Sequence, residues 1–177
     1  YPSYISLVSL ADSNREIERQ LVKVDNIVIV GGLQSLTITP QGPPTNLQLI
    51  REVKLDDYCI TVAASGDDVY VGCNSGKILK IDKQGQCEVF AQMTSESPVI
   101  VGLVIHKQLL YVLPWAGERV IVYSLESKLQ INSWNHPGIC GDLGNRMVVT
   151  QNQLVVADVT NHRLTIYSLT GQLIRHV

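Results

Sequence analysis

Long apolar runs are missing from this sequence, and so is a convincing helical period. No stretch approaches the twenty or so apolar residues needed to cross a bilayer as a helix, and no basic start leads into an apolar run with a small-residue cleavage site. The segment closest to a helix, Asp12 to Leu21, is short and its apolar face is thin. Aromatic residues make up only 6% of the chain, with one Phe and two Trp, and charged residues 17%. Cysteine is scarce too. Cys59, Cys73, Cys87 and Cys140 include no C-x-x-C pair and no regular partnering with His, which removes the usual zinc patterns. A chain of 177 residues has no need of disulfide staples, so reduced and mostly buried thiols are expected. The sequence has no N-x-S/T sequon, which tilts the expectation toward a cytoplasmic protein. Fourteen Lys and Arg against sixteen Asp and Glu give a net charge of −2, so nucleic-acid binding would need a local basic patch rather than a whole-domain field. The first residue is Tyr1 rather than Met, from which a piece of a longer polypeptide is expected.

What is present is a high proportion of apolar residues, 45%, in short β-branched runs closed by Gly, Asn, Asp or Pro. These runs repeat. The triplets Val28-Ile29-Val30, Val69-Tyr70-Val71, Leu110-Tyr111-Val112 and Val155-Val156-Ala157 begin 41, 41 and 45 positions apart. Each is followed by a second strand, beginning at Leu36, Ile78, Val120 and Leu164, at steps of 42, 42 and 44. A turn follows, closed by Gly42, Gly85, Ser127 and Gly171, where a left-handed backbone favours glycine. Each copy ends in another short strand: Leu47 to Val53, Gln86 to Gln92, Lys128 to Ser133 and Gln172 to Val177. A strand before each triplet, at Leu21 to Val24, Cys59 to Val62, Val101 to Ile105 and Met147 to Thr150, completes a four-stranded antiparallel meander.

Four short strands in about 42 residues, with mostly apolar inner strands, are what a blade of a β-propeller requires, since each small sheet is covered on both faces by its neighbours. The fold class is therefore all-β: a single domain over 1–177 with about four four-stranded blades near 15–55, 56–93, 94–135 and 136–177, and an extra strand within 1–14. A generic β-sandwich is the rival, and landmarks matched over four copies weigh against it. If Ile5 to Leu10 belongs to a missing preceding blade, the chain is a C-terminal portion; if it joins the outer edge near Val177, it is a closing strand.

In the last copy, Ala157-Asp158-Val159-Thr160-Asn161-His162-Arg163-Leu164 lies between two apolar strands, with Gly171 after the second. This run resembles the NHL repeat, whose signature is an apolar strand, then A-D-x-x-N-H-R-I, a further strand and a turn glycine. Residues 70–78 and 111–120 resemble degenerate copies, and Gly31 to Ser35 keeps only the frame. Families built from such repeats usually close six blades, so four implies a partial ring, a closed four-bladed ring, or a homodimer completing the ring. The resemblance further implies the C-terminal, substrate-targeting part of a tripartite-motif ubiquitin ligase, whose RING, B-box and coiled coil would lie outside this chain.

Asp158 and His162 invite a catalytic reading, but Asp and Asn in a tight interstrand loop commonly satisfy loop N–H groups, and an Asp–Arg pair can pin the loop. The chain carries no nucleophile elbow. The position before the third strand is Ser35, Lys77, Arg119 and Arg163, a cation in three successive copies. In a propeller these loops open on one face. Lys77, Arg119 and Arg163, with Trp115, His162 and Lys80 nearby, form a candidate rim for an acidic protein segment or single-stranded RNA, the latter stacking on Trp115. The bland alternative is that these cations solvate the loops or pair with Asp158 and Glu118. His106 and His136 read as ordinary turn residues. Asp67, Asp68, Asp82 and Asp142 fall in turns, so they do not define an axial metal site, although a metal-dependent propeller hydrolase or lyase stands as the enzymatic alternative. The expectation is a noncatalytic recognition module without cofactor.

Overall fold

The computed structural model describes residues 3–10, 27–31, 47–94, 98–115, 119–136 and 146–177. All regular structure among them is β. The strands are β1 (Ser3–Leu10), β2 (Ile27–Gly31), β3 (Leu47–Leu55), β4 (Cys59–Ser65), β5 (Asp68–Cys73), β6 (Lys77–Ile81), β7 (Cys87–Gln92), β8 (Ile100–His106), β9 (Leu109–Pro114), β10 (Arg119–Ser124), β11 (Gln130–Asn135), β12 (Met147–Thr150), β13 (Gln153–Asp158), β14 (Arg163–Ser168) and β15 (Leu173–His176). The last twelve form three antiparallel meanders, β4 to β7, β8 to β11 and β12 to β15, each paired in chain order. Tight turns make this order cheap, because each closes two strands with few residues and puts neighbours in sequence beside each other in space.

The sheets stack face to face. Val53 and Leu55 pack on Val69, Val71, Leu79 and Ile81. The other face of that sheet, through Tyr70, Ile78 and Phe90, packs on Leu103, Leu110, Val112 and Tyr123 of the next. Tyr111, Leu113, Val120 and Val122 then meet Met147, Leu154, Val156 and Tyr167. Alternation along each strand sends odd and even residues to opposite sheets, so these strands carry apolar side chains on both faces. Gly72 permits the closest approach: a Cβ there would lie 2.6 Å from Ile100 Cγ2 and 2.7 Å from Thr61 Cγ2. Aromatic edges close the same seam, with Tyr70 and Phe90 at 5.2 Å and Phe90 and Tyr123 at 6.1 Å between ring centroids.

Burial falls off outward. The first strands β4, β8 and β12 contact the sheet beside them, whereas β15 is exposed along its whole length and β11 along most of it. Small sheets stacked in series, with inner strands in contact and outer strands in solvent, are the arrangement of a partial β-propeller.

Two details depart from expectation. Ile5 to Leu10 lies at the centre of the first sheet, in the order β2-β1-β3, and neither extends an outer edge nor stands apart. Pairing on both sides satisfies the backbone groups that an edge strand leaves open, and the alternation of the sequence does not by itself choose between those places. In the third turn the left-handed residue is Lys128, with φ 58°, rather than Ser127; Gly85 and Gly171 take that role as expected. That turn is one residue longer, the Lys128 N–H reaching back to the Ser124 carbonyl. The strands expected at Leu21 to Val24 and near Leu36, and the turn at Gly42, lie outside the described residues.

Candidate recognition face

Lys77, Arg119 and Arg163 are the first residues of β6, β10 and β14, so each leaves the loop that joins the second and third strands of its sheet. The three positions correspond in register. Val71 pairs with Leu79, Val112 with Ile121 and Val156 with Thr165, which fixes each cation two residues before the matched position.

The loop before Lys77 is tightly held. Asn74 N–H donates to the Tyr58 carbonyl at 2.9 Å, Gln92 Nε2 to the Ser75 carbonyl at 3.1 Å, and Ser75 Oγ to the Asp57 carboxylate. Gly76 takes φ 82°, and a Cβ there would meet Pro98 at 2.4 Å. These ties fix the backbone from which the Lys77 side chain leaves, so binding has to order the side chain but not the turn. Lys77 is half-buried and Arg119 exposed, and neither has an ion-pair partner among the described residues.

Arg163 differs. Its Nε donates to Asp158 Oδ2 at 2.8 Å, and the Asp158 side chain is wholly inaccessible. Asn161 Nδ2 lies 2.9 Å from both Asp158 oxygens, and the Asn161 N–H donates to Oδ1 at 3.3 Å. Burial alone would raise the Asp158 pKa, but the hydrogen bonds from Arg163 and Asn161 outweigh it and hold the carboxyl below its ordinary value. The constellation that invites a catalytic reading is therefore a loop clamp. His162 stands exposed at its tip, in a left-handed conformation with φ 52°.

Trp115 donates its backbone N–H to the Val99 carbonyl at 2.7 Å and packs, half-buried, against the core between the third and fourth sheets. Only part of its ring is free to stack on a ligand. Lys80 pairs with Asp68 at 2.8 Å along the sheet and does not join the rim. Glu118 and Asp142 lie outside the described residues. Among those described, no group of three or more His, Cys, Asp or Glu is disposed to hold a metal ion.

The sequence reading missed a buried polar cluster beside this face. His136 is fully inaccessible, not a surface turn residue, and its Nδ1 lies 2.9 Å from the Tyr167 hydroxyl. Trp134 sits between Tyr111 and Tyr167, at centroid distances of 6.3 and 5.9 Å, with Gly171 against its ring. The available signal was the two-residue spacing of Trp134 and His136, which puts both on one face of a strand. Burial lowers the His136 pKa, Asp158 opposes, and Arg163 and His176 add to the lowering.

The sign of the resulting pH dependence is fixed. The unfolded chain takes up the His136 proton near 6.5 and the folded chain only below that, so this contribution is complete above 6.5 and is lost as the pH falls beneath it. Urea unfolding between about pH 7.5 and 5.5 is expected to show stability declining as the pH falls, with a slope no steeper than roughly 1.4 kcal/mol per pH unit for one proton. His136→Gln should flatten that slope; an unchanged slope would assign it elsewhere.

This geometry defines a propeller-like repeat protein with a loop face carrying two cations that have no ion-pair partner among the described residues. Known proteins agree at the level of fold. No family model matches the chain, and no curated protein matches it. Among solved structures it is similar to the computationally designed Ika4 protein (TM-score 0.52, 14% identity, 68% of this chain and 72% of that one). It is also similar to the computationally designed Ika8 protein (TM-score 0.52, 12% identity, 69% of this chain and 37% of that one). Sqt1 of Saccharomyces cerevisiae gives a TM-score of 0.56 at 13% identity, over 73% of this chain and 39% of that one. The matched portion is thus well under half of Ika8 and Sqt1, and at these identities the likeness establishes the fold alone.

Proposed function

We propose that this domain is a noncatalytic recognition module that grips an acidic protein segment on its loop face. The observation that carries the reading is the pair Lys77 and Arg119, at corresponding positions of adjacent sheets and without ion-pair partners among the described residues. Rim cations of this kind act mainly on encounter rate and partner choice. The resemblance of residues 155–171 to the NHL repeat further supports a place as the substrate-targeting part of a tripartite-motif ubiquitin ligase. Single-stranded RNA is the second ligand class, favoured by the partly exposed Trp115.

The test is the double reversal Lys77→Glu/Arg119→Glu, leaving Arg163 in place because its change would also break the loop clamp. Against an immobilised panel of acidic peptides, the unaltered chain is expected to bind and the double variant to bind about tenfold or more weakly, with unchanged thermal unfolding. Equal binding by both would remove the rim. A homopolymeric RNA probe whose affinity falls steeply with salt would favour the nucleic-acid reading instead.

One specific observation favours a second, compatible reading, in which a second copy of the chain packs on the last sheet. Val148, Leu164 and Val177 are exposed there, on a sheet whose opposite face is buried.

A further inference from the structure

Cys59 opens β4 and Cys73 closes β5, and the antiparallel register places them directly opposite each other, at the point where the ladder slips by one residue before Thr61. Opposed residues of antiparallel strands have Cα atoms about 4.5–5.5 Å apart, inside the roughly 4.4–6.8 Å span that a disulfide bridges. Both cysteines are free thiols. Cys59 Sγ also lies 3.7 Å from the Asp57 carbonyl oxygen, and Cys73 Sγ 3.9 Å from that of Val71.

The two sulfurs are unequal. Cys59 is half-buried, whereas Cys73 is wholly inaccessible, in the core between the first and second sheets. The neighbouring Cys73 thiol lowers the Cys59 pKa, against burial and Asp57; its own neighbour Cys59, with burial, drives the Cys73 thiol far up. An accessible, more acidic sulfur thus stands in front of a protonated one. Cys87 is exposed on the outer strand of the same sheet and offers a built-in competitor.

We propose that Cys59 and Cys73 form a thiol pair that a hydroperoxide converts into a disulfide, locking the ends of β4 and β5 together beneath the loop that carries Lys77. In the first step the Cys59 thiolate attacks the peroxide oxygen, the O–O bond breaks, an alcohol or water leaves after protonation, and Cys59 becomes a sulfenic acid. In the second, the Cys73 sulfur displaces that hydroxyl, its proton leaves with it as water, and the S–S bond forms. Two thiols are oxidised by two electrons and one hydroperoxide is reduced. This inference does not depend on the recognition reading.

The test uses the whole chain, hydrogen peroxide at a slight excess, quenching with an alkylating agent after unfolding, and peptide mapping. The expected result is loss of the mass of two hydrogen atoms, a Cys59–Cys73 crosslinked peptide, and Cys87 fully alkylated. Closing a loop of this length should also raise the thermal midpoint by about 5–10 °C, reversibly with reductant. Cys59→Ser should abolish both the crosslink and the shift. Bridges to Cys87 or Cys140, Cys59 oxidised to sulfinic acid beside an alkylatable Cys73, or a shift that persists in Cys59→Ser would each overturn the proposal.

Discussion

Asp158→Ala is expected to lower the stability of the folded chain by roughly 2–4 kcal/mol, more than any substitution of an exposed residue on the same face. The Asp158 carboxylate takes four donor contacts, from Arg163 Nε, from Asn161 Nδ2 at both oxygens and from the Asn161 N–H. It is inaccessible to solvent, while the Arg163 side chain is 31% exposed. Truncation therefore leaves an orphaned amide and a partly solvated guanidinium rather than a fully buried lone charge, which keeps the loss below that of a wholly desolvated pair. The pH behaviour gives an independent check. Because the folded pKa lies below the ordinary value of 3.8, the stabilisation is present above about that pH and is lost as the pH falls through the folded value. This window is well separated from the His136 window below 6.5. Urea midpoints of the unaltered chain and Asp158→Ala should converge in strong acid; a gap that persists there, or no gap at neutral pH, would show that the clamp carries no charge-dependent stability.

The second large effect concerns association. Corresponding positions in the three complete sheets are Tyr70, Tyr111 and Val155 on the second strand and Ile78, Val120 and Leu164 on the third, as the matched pairings fix. In the first two sheets these side chains are between 0% and 3% exposed, covered by the next sheet in the stack. In the last sheet Leu164 is 44% exposed, and Val148, paired with Val155, is 53% exposed. Leu164 and Val148 on this face are open to solvent, while Val155 is half-buried and Ile166 only 6% exposed, so part of the pattern that elsewhere receives another blade is uncovered here, a condition that native folds avoid. With a second copy as the occupant, sedimentation of the unaltered chain should show a dimer at micromolar concentration, and Leu164→Glu should weaken association at least tenfold by forcing a charge into the seam. A chain that remains monomeric over a wide concentration range would remove the second copy as the occupant.

The stack was legible because its physical cause leaves a periodic trace: a blade buried on both faces needs apolar triplets such as Val69-Tyr70-Val71 and Leu110-Tyr111-Val112 at a fixed spacing. The loop clamp was legible for a similar reason, since Asp158, Asn161 and Arg163 are types whose short-range hydrogen bonding is local in sequence. Long-range choices were not. Nothing in the alternation of Ile5 to Leu10 says that it pairs on both sides, because that is decided by partners more than fifteen residues away. His136 reads as a turn residue from the proline after it, yet the Tyr167 hydroxyl that accommodates it lies 31 positions on. Cys59 and Cys73 likewise become neighbours only through the register of β4 on β5, and Cys87, expected to be buried with them, is exposed because β7 is an outer strand.

The central claim, that these small sheets stack in series with inner strands shielded and outer strands in solvent, is tested most directly by residue-resolved amide hydrogen exchange. Protection should be greatest in β8 and β9, whose sheet is covered on both faces, and least in β15, which is exposed along its length. Slow exchange throughout β15, equal to that of β9, would contradict it.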